Sequence, residues 1–334
     1  MIRDESFLNS PYKNCVLCPR RCAVNREAGL KGFCGETAEM RLVFAGIHRG
    51  EEPGITGDGG SGTMFFSGCN LGCIFCQNFQ ISHRDLGRVI TVEEFAEICL
   101  SLQEKEAENI NIVTGGHLAP LIALGIEAAR KQGLFVPVVW NSSAYEGAQA
   151  LEILKDFVDV YMPDLKTLDT EMGGKFFGAS DYPEHATKAI QKMMEFRKLR
   201  FGPGREEGMD VMVSGVMIRH LVIPGYLENT RQVLRWFAEN CKGQNKALLS
   251  LMTQYTPVRA SGVEVPGRYL LPSEYEAVFL MLNELGINDG YCQELVTGSD
   301  WLPDFNRQNP FSSKLSKPVW HLNSGVISGP GQSE

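Results

Sequence analysis

Gly62-Thr63-Met64-Phe65-Phe66-Ser67-Gly68-Cys69-Asn70-Leu71-Gly72-Cys73-Ile74-Phe75-Cys76 is a β-rich run that breaks directly into a glycine-punctuated loop carrying three cysteines. From here onward short β-branched or apolar runs alternate with amphipathic stretches. Strands are expected at 62–67, 109–114, 135–140, 158–163, 211–223 and 247–252, and helices at 92–105, 118–132, 144–156, 183–198, 227–241 and 273–285. Thr91 with Glu94 forms a capping box, and Ser273 is the expected cap of the last helix. Strict βα alternation implies parallel strands joined by right-handed crossovers. Six units suit an open barrel or a doubly wound sheet; eight do not fit.

The composition bounds the function. The 334 residues are 43% hydrophobic and 22% charged, as in ordinary globular chains, and no apolar run reaches the roughly 20 residues of a membrane span. The first fifteen residues have no apolar core of a signal peptide, so a cytoplasmic location is expected. Lys+Arg 32 against Asp+Glu 40 gives a net charge of −8, which disfavours nucleic acid and anionic membranes as partners.

Ten cysteines in a chain of this kind argue for metal rather than disulfides. Cys15, Cys18, Cys22 and Cys34 form C-x2-C-x3-C-x11-C in a segment with too little periodicity for its own core. They suit a closed structural zinc site or an iron–sulfur cluster. Cys69, Cys73 and Cys76 form C-x3-C-x2-C in a loop at the carboxyl end of a strand, where parallel α/β sheets bind ligands. Three thiolates leave one metal position open. A zinc completed by His83 or Cys292 is the alternative. Cys99 is placed at core spacing on its helix, Cys241 ends another, and Cys292 is unassigned.

The C-x3-C-x2-C spacing with Phe75 before the last cysteine resembles the signature of the radical S-adenosylmethionine (SAM) superfamily. That resemblance implies a partial (β/α)6 barrel in which the three cysteines ligate a 4Fe-4S cluster, its open iron binds SAM, and Phe75 lies near the adenine. Val113-Thr114-Gly115-Gly116-His117 resembles the family's Gly-Gly-Glu motif, with His117 replacing the glutamate and backbone contacts to SAM expected at Gly115 and Gly116. Asn141, in Trp140-Asn141-Ser142-Ser143, suits ribose hydroxyls or a helix cap. Asp164-Leu165-Lys166 resembles the Asp-x-Lys pair of glycyl-radical-enzyme activating enzymes, which contacts SAM. The bland alternative is an exposed ion pair worth about 0.5 kcal/mol. Arg219-His220-Leu221-Val222-Ile223-Pro224-Gly225 is similar to another stretch of those enzymes, and Arg219 inside a barrel needs an anion, either Asp164 or the SAM carboxylate.

Cys18-Pro19-Arg20-Arg21-Cys22, Gly60 to Thr63, Cys76-Gln77-Asn78, Asn141 to Ser143 and Gln254-Tyr255 look like the pyruvate formate-lyase activating enzyme-like branch. A glycyl radical enzyme partner and a one-electron donor such as flavodoxin or ferredoxin follow by resemblance. The alternatives are a radical SAM enzyme acting on a small molecule or peptide, and a non-catalytic iron–sulfur or zinc module. The expected organisation is a Cys-rich segment over 1–45, the barrel over 46–288 and an irregular tail over 289–334. Trp140, Phe66 and Met162 are expected to line the barrel. The tail either closes its open side or is disordered from Gly329 to Glu334.

Overall fold

The structure, a computed structural model, describes residues 11–206, 208–243, 246–258, 265–299 and 301–327. The expectation for Gly329 to Glu334 lies outside them. In chain order the elements are β1 (Met40–His48), α1 (Pro53–Thr56), β2 (Ser61–Phe66), α2 (Phe79–Ser82), β3 (Arg88–Ile90), α3 (Val92–Glu104), β4 (Asn109–Val113), α4 (Ala119–Lys131), β5 (Val138–Ser142) and α5 (Ala148–Leu154). They continue with β6 (Val160–Pro163), α6 (Thr170–Phe177), α7 (Tyr182–Phe196), β7 (Arg200–Pro203), β8 (Asp210–Leu221), α8 (Leu227–Asn240), β9 (Leu248–Met252), α9 (Pro272–Glu284), β10 (Gly290–Cys292), β11 (Ser316–His321) and β12 (Gly325–Val326).

β2, β4, β5, β6, β8 and β9 lie side by side in that order, all parallel, which is the expected partial (β/α)6 barrel. The sheet does not close. β10 extends it at one end, and at the other β1 pairs antiparallel with β2 and carries β11 on its far side. Thr91 caps α3 as expected, its Oγ1 accepting from the Glu94 N–H at 3.1 Å while Glu94 Oε2 accepts from the Thr91 N–H at 2.9 Å. α9 starts one residue earlier than expected, after Leu271 rather than at Ser273. Glu274 still reaches back to the Leu271 N–H at 2.9 Å.

The two faces of the sheet follow the period of two. Met64, Phe66, Ile112, Trp140, Tyr161 and Ile218 pack beneath the helices in the largest apolar cluster. Val139, Val160, Met162, Met217 and Leu248 point the other way and meet Ile55 of α1 inside the barrel. Phe66 and Trp140 therefore do not line the interior, and Met162 does. A one-residue error in parity moves a side chain to the opposite face. Their neighbours Phe65 and Asn141 take the inner positions. β5 starts three residues later than expected because Phe135 and Val136 lie before Pro137, and Phe135 is 76% exposed.

Three further features depart from the sequence reading. β1 begins inside the segment assigned to the Cys-rich extension and is almost wholly buried, because β2 and β11 flank it. The tail is not irregular throughout, since β11 and β12 form a hairpin on the sheet. The strand expected at 211–223 is β8, which ends at Leu221: its first part pairs antiparallel with β7 and its second part parallel with β6 and β9, with Gly215 at φ +129° where the pairing changes.

Candidate functional site

The parallel strands share a carboxyl end, and the loops leaving it enclose a cavity of about 240 Å³. Cys69, Cys73 and Cys76 border it together with Phe75, Thr114, Asn141, Asp164, Lys166 and Arg219. The cysteine loop is shaped by its own sequence and by α6. Gly68 turns the chain at φ +83°, and the Gly72 and Ile74 N–H groups donate to the Phe177 and Phe176 carbonyls at 3.0 Å each. Phe75 is buried against Phe176, Phe177 and Tyr255, with ring centroids 5.9, 5.6 and 5.5 Å away. The three thiols are thus presented on a stiff loop.

The polar floor is a charge network. Arg219 donates from Nε to Asp164 Oδ1 at 2.8 Å, from Nη1 to Glu51 Oε2 at 3.1 Å and from Nη2 to Asn141 Oδ1 at 2.6 Å. Lys166 Nζ donates to Asp164 Oδ2 at 2.8 Å. The Asp164 and Lys166 side chains are only 18% and 21% exposed, so this is not a surface pair. Burial pushes the Asp164 carboxyl up, but Arg219 and Lys166 outweigh it and hold it below the usual carboxylate range. Burial pushes the Lys166 ammonium down, but Asp164 together with the neighbouring Cys73 and Tyr182 outweighs it, so Lys166 stays charged.

Glu51 and Glu52 were not singled out by the sequence. β1 runs antiparallel to β2 and ends opposite Ser61, so the following residues cross at the amino-terminal end of the parallel strands. From there Glu51 reaches Arg219, and Glu52 accepts from Ser250 Oγ at 2.5 Å. Burial raises both carboxyls, with Arg219 opposing. The tail supplies Trp301, Pro303 and Phe311 to the cavity rim, beside His48, whose ring lies 4.6 Å from that of Phe311.

Other expected residues fall elsewhere. Gly115 and Gly116 do not border the cavity. A Cβ on Gly115 would sit 2.6 Å from Ile122 and 2.8 Å from Ile112, so its reason is core packing, and the neighbouring Thr114, held at φ +57°, faces the cavity instead. His117 turns away: its Nε2 lies 2.8 Å from the Ser67 carbonyl, and burial pushes it down to about 3, so it is neutral and donates there. Of the alternative zinc ligands, Cys292 lies on β10 away from the cavity border. His83 contacts Ser82, whose Oγ lies 3.3 Å from Cys76 Sγ. Cys99 is buried beside Met64, as expected.

Glu146, also missed, is 5% exposed and lies near Gly116, whose Cβ position is 3.5 Å from Glu146 Oε1. Burial pushes its carboxyl up to about 7, with Ser142 and Trp140 opposing. Because this exceeds the ordinary 4.5, its stabilising contribution is full below pH 4.5 and is lost as pH rises through 7. At about 1.4 kcal/mol per pH unit that loss is on the order of 3 kcal/mol. Urea unfolding at pH 5 and pH 8 should show Glu146→Gln losing much less stability between the two than the unmodified chain; equal losses would contradict the assignment.

The thiols and the charged floor fit a 4Fe-4S cluster with SAM beside it. Three sulfurs face one cavity, and an ammonium and two carboxylates stand where a zwitterionic ligand would enter. A family model for the radical SAM superfamily matches residues 63–237. An uncharacterized protein of Methanocaldococcus jannaschii is 30% identical over 254 residues, covering 74% of this chain and 67% of its own length. Pyruvate formate-lyase 1-activating enzyme of Escherichia coli is 23% identical over 193 residues, covering 56% of this chain and 71% of the relative. The crystal structure of Streptococcus suis SuiB bound to S-adenosylmethionine overlaps 70% of this chain and 49% of that one, about half its length, at 14% identity and a TM-score of 0.48. The chain belongs to the radical SAM superfamily.

Proposed function

We propose that the chain is a radical SAM enzyme that abstracts a hydrogen atom, and that its substrate is a glycine of a glycyl radical enzyme. The observation that carries the first half is the set of three thiols opening onto the same cavity as Asp164, Lys166 and Arg219. Cys69, Cys73 and Cys76 would hold the cluster, and Lys166 and Asp164 would bind the carboxylate and ammonium of SAM. When bound, the reduced cluster and SAM supply a 5′-deoxyadenosyl radical for hydrogen abstraction. The chain's own residues position and shield. Phe75 offers its ring to the adenine, Asn141 to the ribose, and Trp301, Pro303 and Phe311 limit water at the rim.

The second half is supported by the 23% identity to the activating enzyme and by the Asp164-x-Lys166 and Arg219-x-x-Val222-x-Pro224-Gly225 stretches. Among the described residues no helix is long and apolar enough to cross a membrane. Anaerobic, cluster-loaded protein should form 5′-deoxyadenosine from SAM on addition of a one-electron donor such as reduced flavodoxin or ferredoxin. A co-purified glycyl radical enzyme should then show an organic doublet by electron paramagnetic resonance (EPR). No 5′-deoxyadenosine would remove the whole reading; 5′-deoxyadenosine without the doublet on that enzyme would remove only the substrate.

Lys166→Ala tests the SAM contacts. Asp164 keeps Arg219 as a partner in this variant, so folding is little affected. A charge-assisted hydrogen bond to the ligand is worth about 1.5–3 kcal/mol, so SAM affinity is expected to fall by about tenfold or more. Titrating SAM into the reconstituted variant and following its visible spectrum measures this. Unchanged affinity would show that Lys166 does not touch SAM.

A further inference from the structure

We infer that Cys15, Cys18, Cys22 and Cys34 hold a second iron–sulfur cluster, placed against the Cys69 loop. The segment they occupy has little to fold around. Between 14 and 38 it contains no helix or strand, and Arg21 and Ala23 adopt left-handed backbone at φ 44° and 55°. Such conformations are unfavourable for non-glycine residues and persist where something else fixes the chain.

The sulfurs are gathered together. The position of a Cβ on Gly32 lies 3.4 Å from Cys22 Sγ and 3.8 Å from Cys34 Sγ, and Cys15, Cys34 and Cys22 all lie within electrostatic reach of Cys18. Each sulfur is served by an N–H. The Phe33 N–H donates to Cys22 Sγ at 3.2 Å, and Arg26 Nη1 donates to Cys15 Sγ at 3.8 Å. The Arg20 and Glu36 backbone N–H groups lie within hydrogen-bonding reach of the Cys18 and Cys34 sulfurs. Arg26 is 1% exposed, a buried cation set against a group of would-be anions, and it also grips the Thr37 and His117 carbonyls at 2.6 and 2.7 Å. None of the four is in a disulfide.

Position favours a cluster over a single ion. Four thiolates on zinc must surround one atom at about 2.3 Å. Thiolates on a 4Fe-4S cluster bind four separate irons and stand further apart.

The quartet also abuts the first site. The Cβ position of Gly68 lies 2.7 Å from the Cys34 carbonyl, and Arg20 Nε donates to the Asn70 carbonyl at 2.9 Å. Cys34 and Cys69 border a common cleft of about 440 Å³. A remote staple would not need this contact. A redox centre would use it, receiving one electron from a low-potential donor protein and passing one electron to the neighbouring cluster, with no proton moved.

The test is metal content of the anaerobically reconstituted full chain. The unmodified chain should carry about eight irons, and Cys69→Ala/Cys73→Ala/Cys76→Ala about four with the Mössbauer pattern of a 4Fe-4S cluster. Dithionite-reduced unmodified chain should show an EPR signal broadened by coupling between two adjacent clusters, and the triple variant a narrow, uncoupled one. Cys18→Ser/Cys22→Ser should also fall to about four irons; if it fails to fold, the triple variant alone decides. A triple variant with no iron, or with one zinc and no iron, overturns the inference. This outcome is independent of the proposed reaction, because the triple variant is scored for iron and not for SAM cleavage.

Discussion

Cys73→Ala should abolish 5′-deoxyadenosine formation, lowering it by roughly a thousandfold or more to the background of the assay, a change of about 4 kcal/mol in barrier. The middle cysteine of the loop sits between the peptide groups of Gly72 and Ile74, both tied to α6. Its Sγ can leave without moving the backbone. Removing one buried sulfur costs on the order of 1 kcal/mol of stability, so circular dichroism and the unfolding midpoint should change little. A cluster held by two of its three thiolates, in contrast, loses a third of its anchoring. The variant should therefore lose SAM cleavage while remaining folded. Product formation at the unmodified rate would show that the three cysteines are not the ligands.

Much of this was legible in the sequence because the signals were local. Strict βα alternation is a property of neighbouring residues, and the six parallel strands lie where the periodicity put them, within a few residues. The cysteine spacing is equally local. Asp164 and Lys166 stand two apart and meet directly, while Arg219 meets Asp164 because both occupy inner positions on adjacent strand ends. The face of a strand was harder. Phe66 and Trp140 are large and apolar, which is equally suitable for the helix layer and for the barrel interior, and only register separates the two.

What stayed hidden depends on distant partners. Nine residues of β1 form a nearly continuous apolar run, which is the mark of a strand buried on both faces, but its neighbours are β2 and β11, the latter nearly 270 residues later. With β1 unrecognised, the delivery of Glu51 to Arg219 was invisible. Glu146 and the rim formed by Trp301 and Phe311 are of the same kind. Gly115 has a requirement the local sequence does not display, since Ile112 and Ile122 leave no room for a Cβ there.

The largest effect on folding is expected from Asp164→Asn. Asp164 is the hub of the network, accepting from Arg219 and Lys166 on separate oxygens, and all three side chains are 21% exposed or less. An amide keeps the shape but removes the charge. Arg219 retains Glu51 and the Asn141 carbonyl oxygen. Lys166 keeps no carboxylate among the ion pairs of the described residues. Removing one partner of a buried pair leaves an uncompensated charge, and the expected loss is about 3–5 kcal/mol in urea unfolding of the metal-free protein at pH 7. The sign with pH is fixed by the depressed carboxyl. Its stabilisation is present above the ordinary aspartate value of 3.8 and is lost as pH falls through the lower native one. The gap between variant and unmodified chain should therefore narrow below about pH 4. Adding Lys166→Met to the variant should recover part of the loss, since the double replacement strands no ammonium. A double variant as unstable as the sum of the two single variants would place the cost in packing and not in charge.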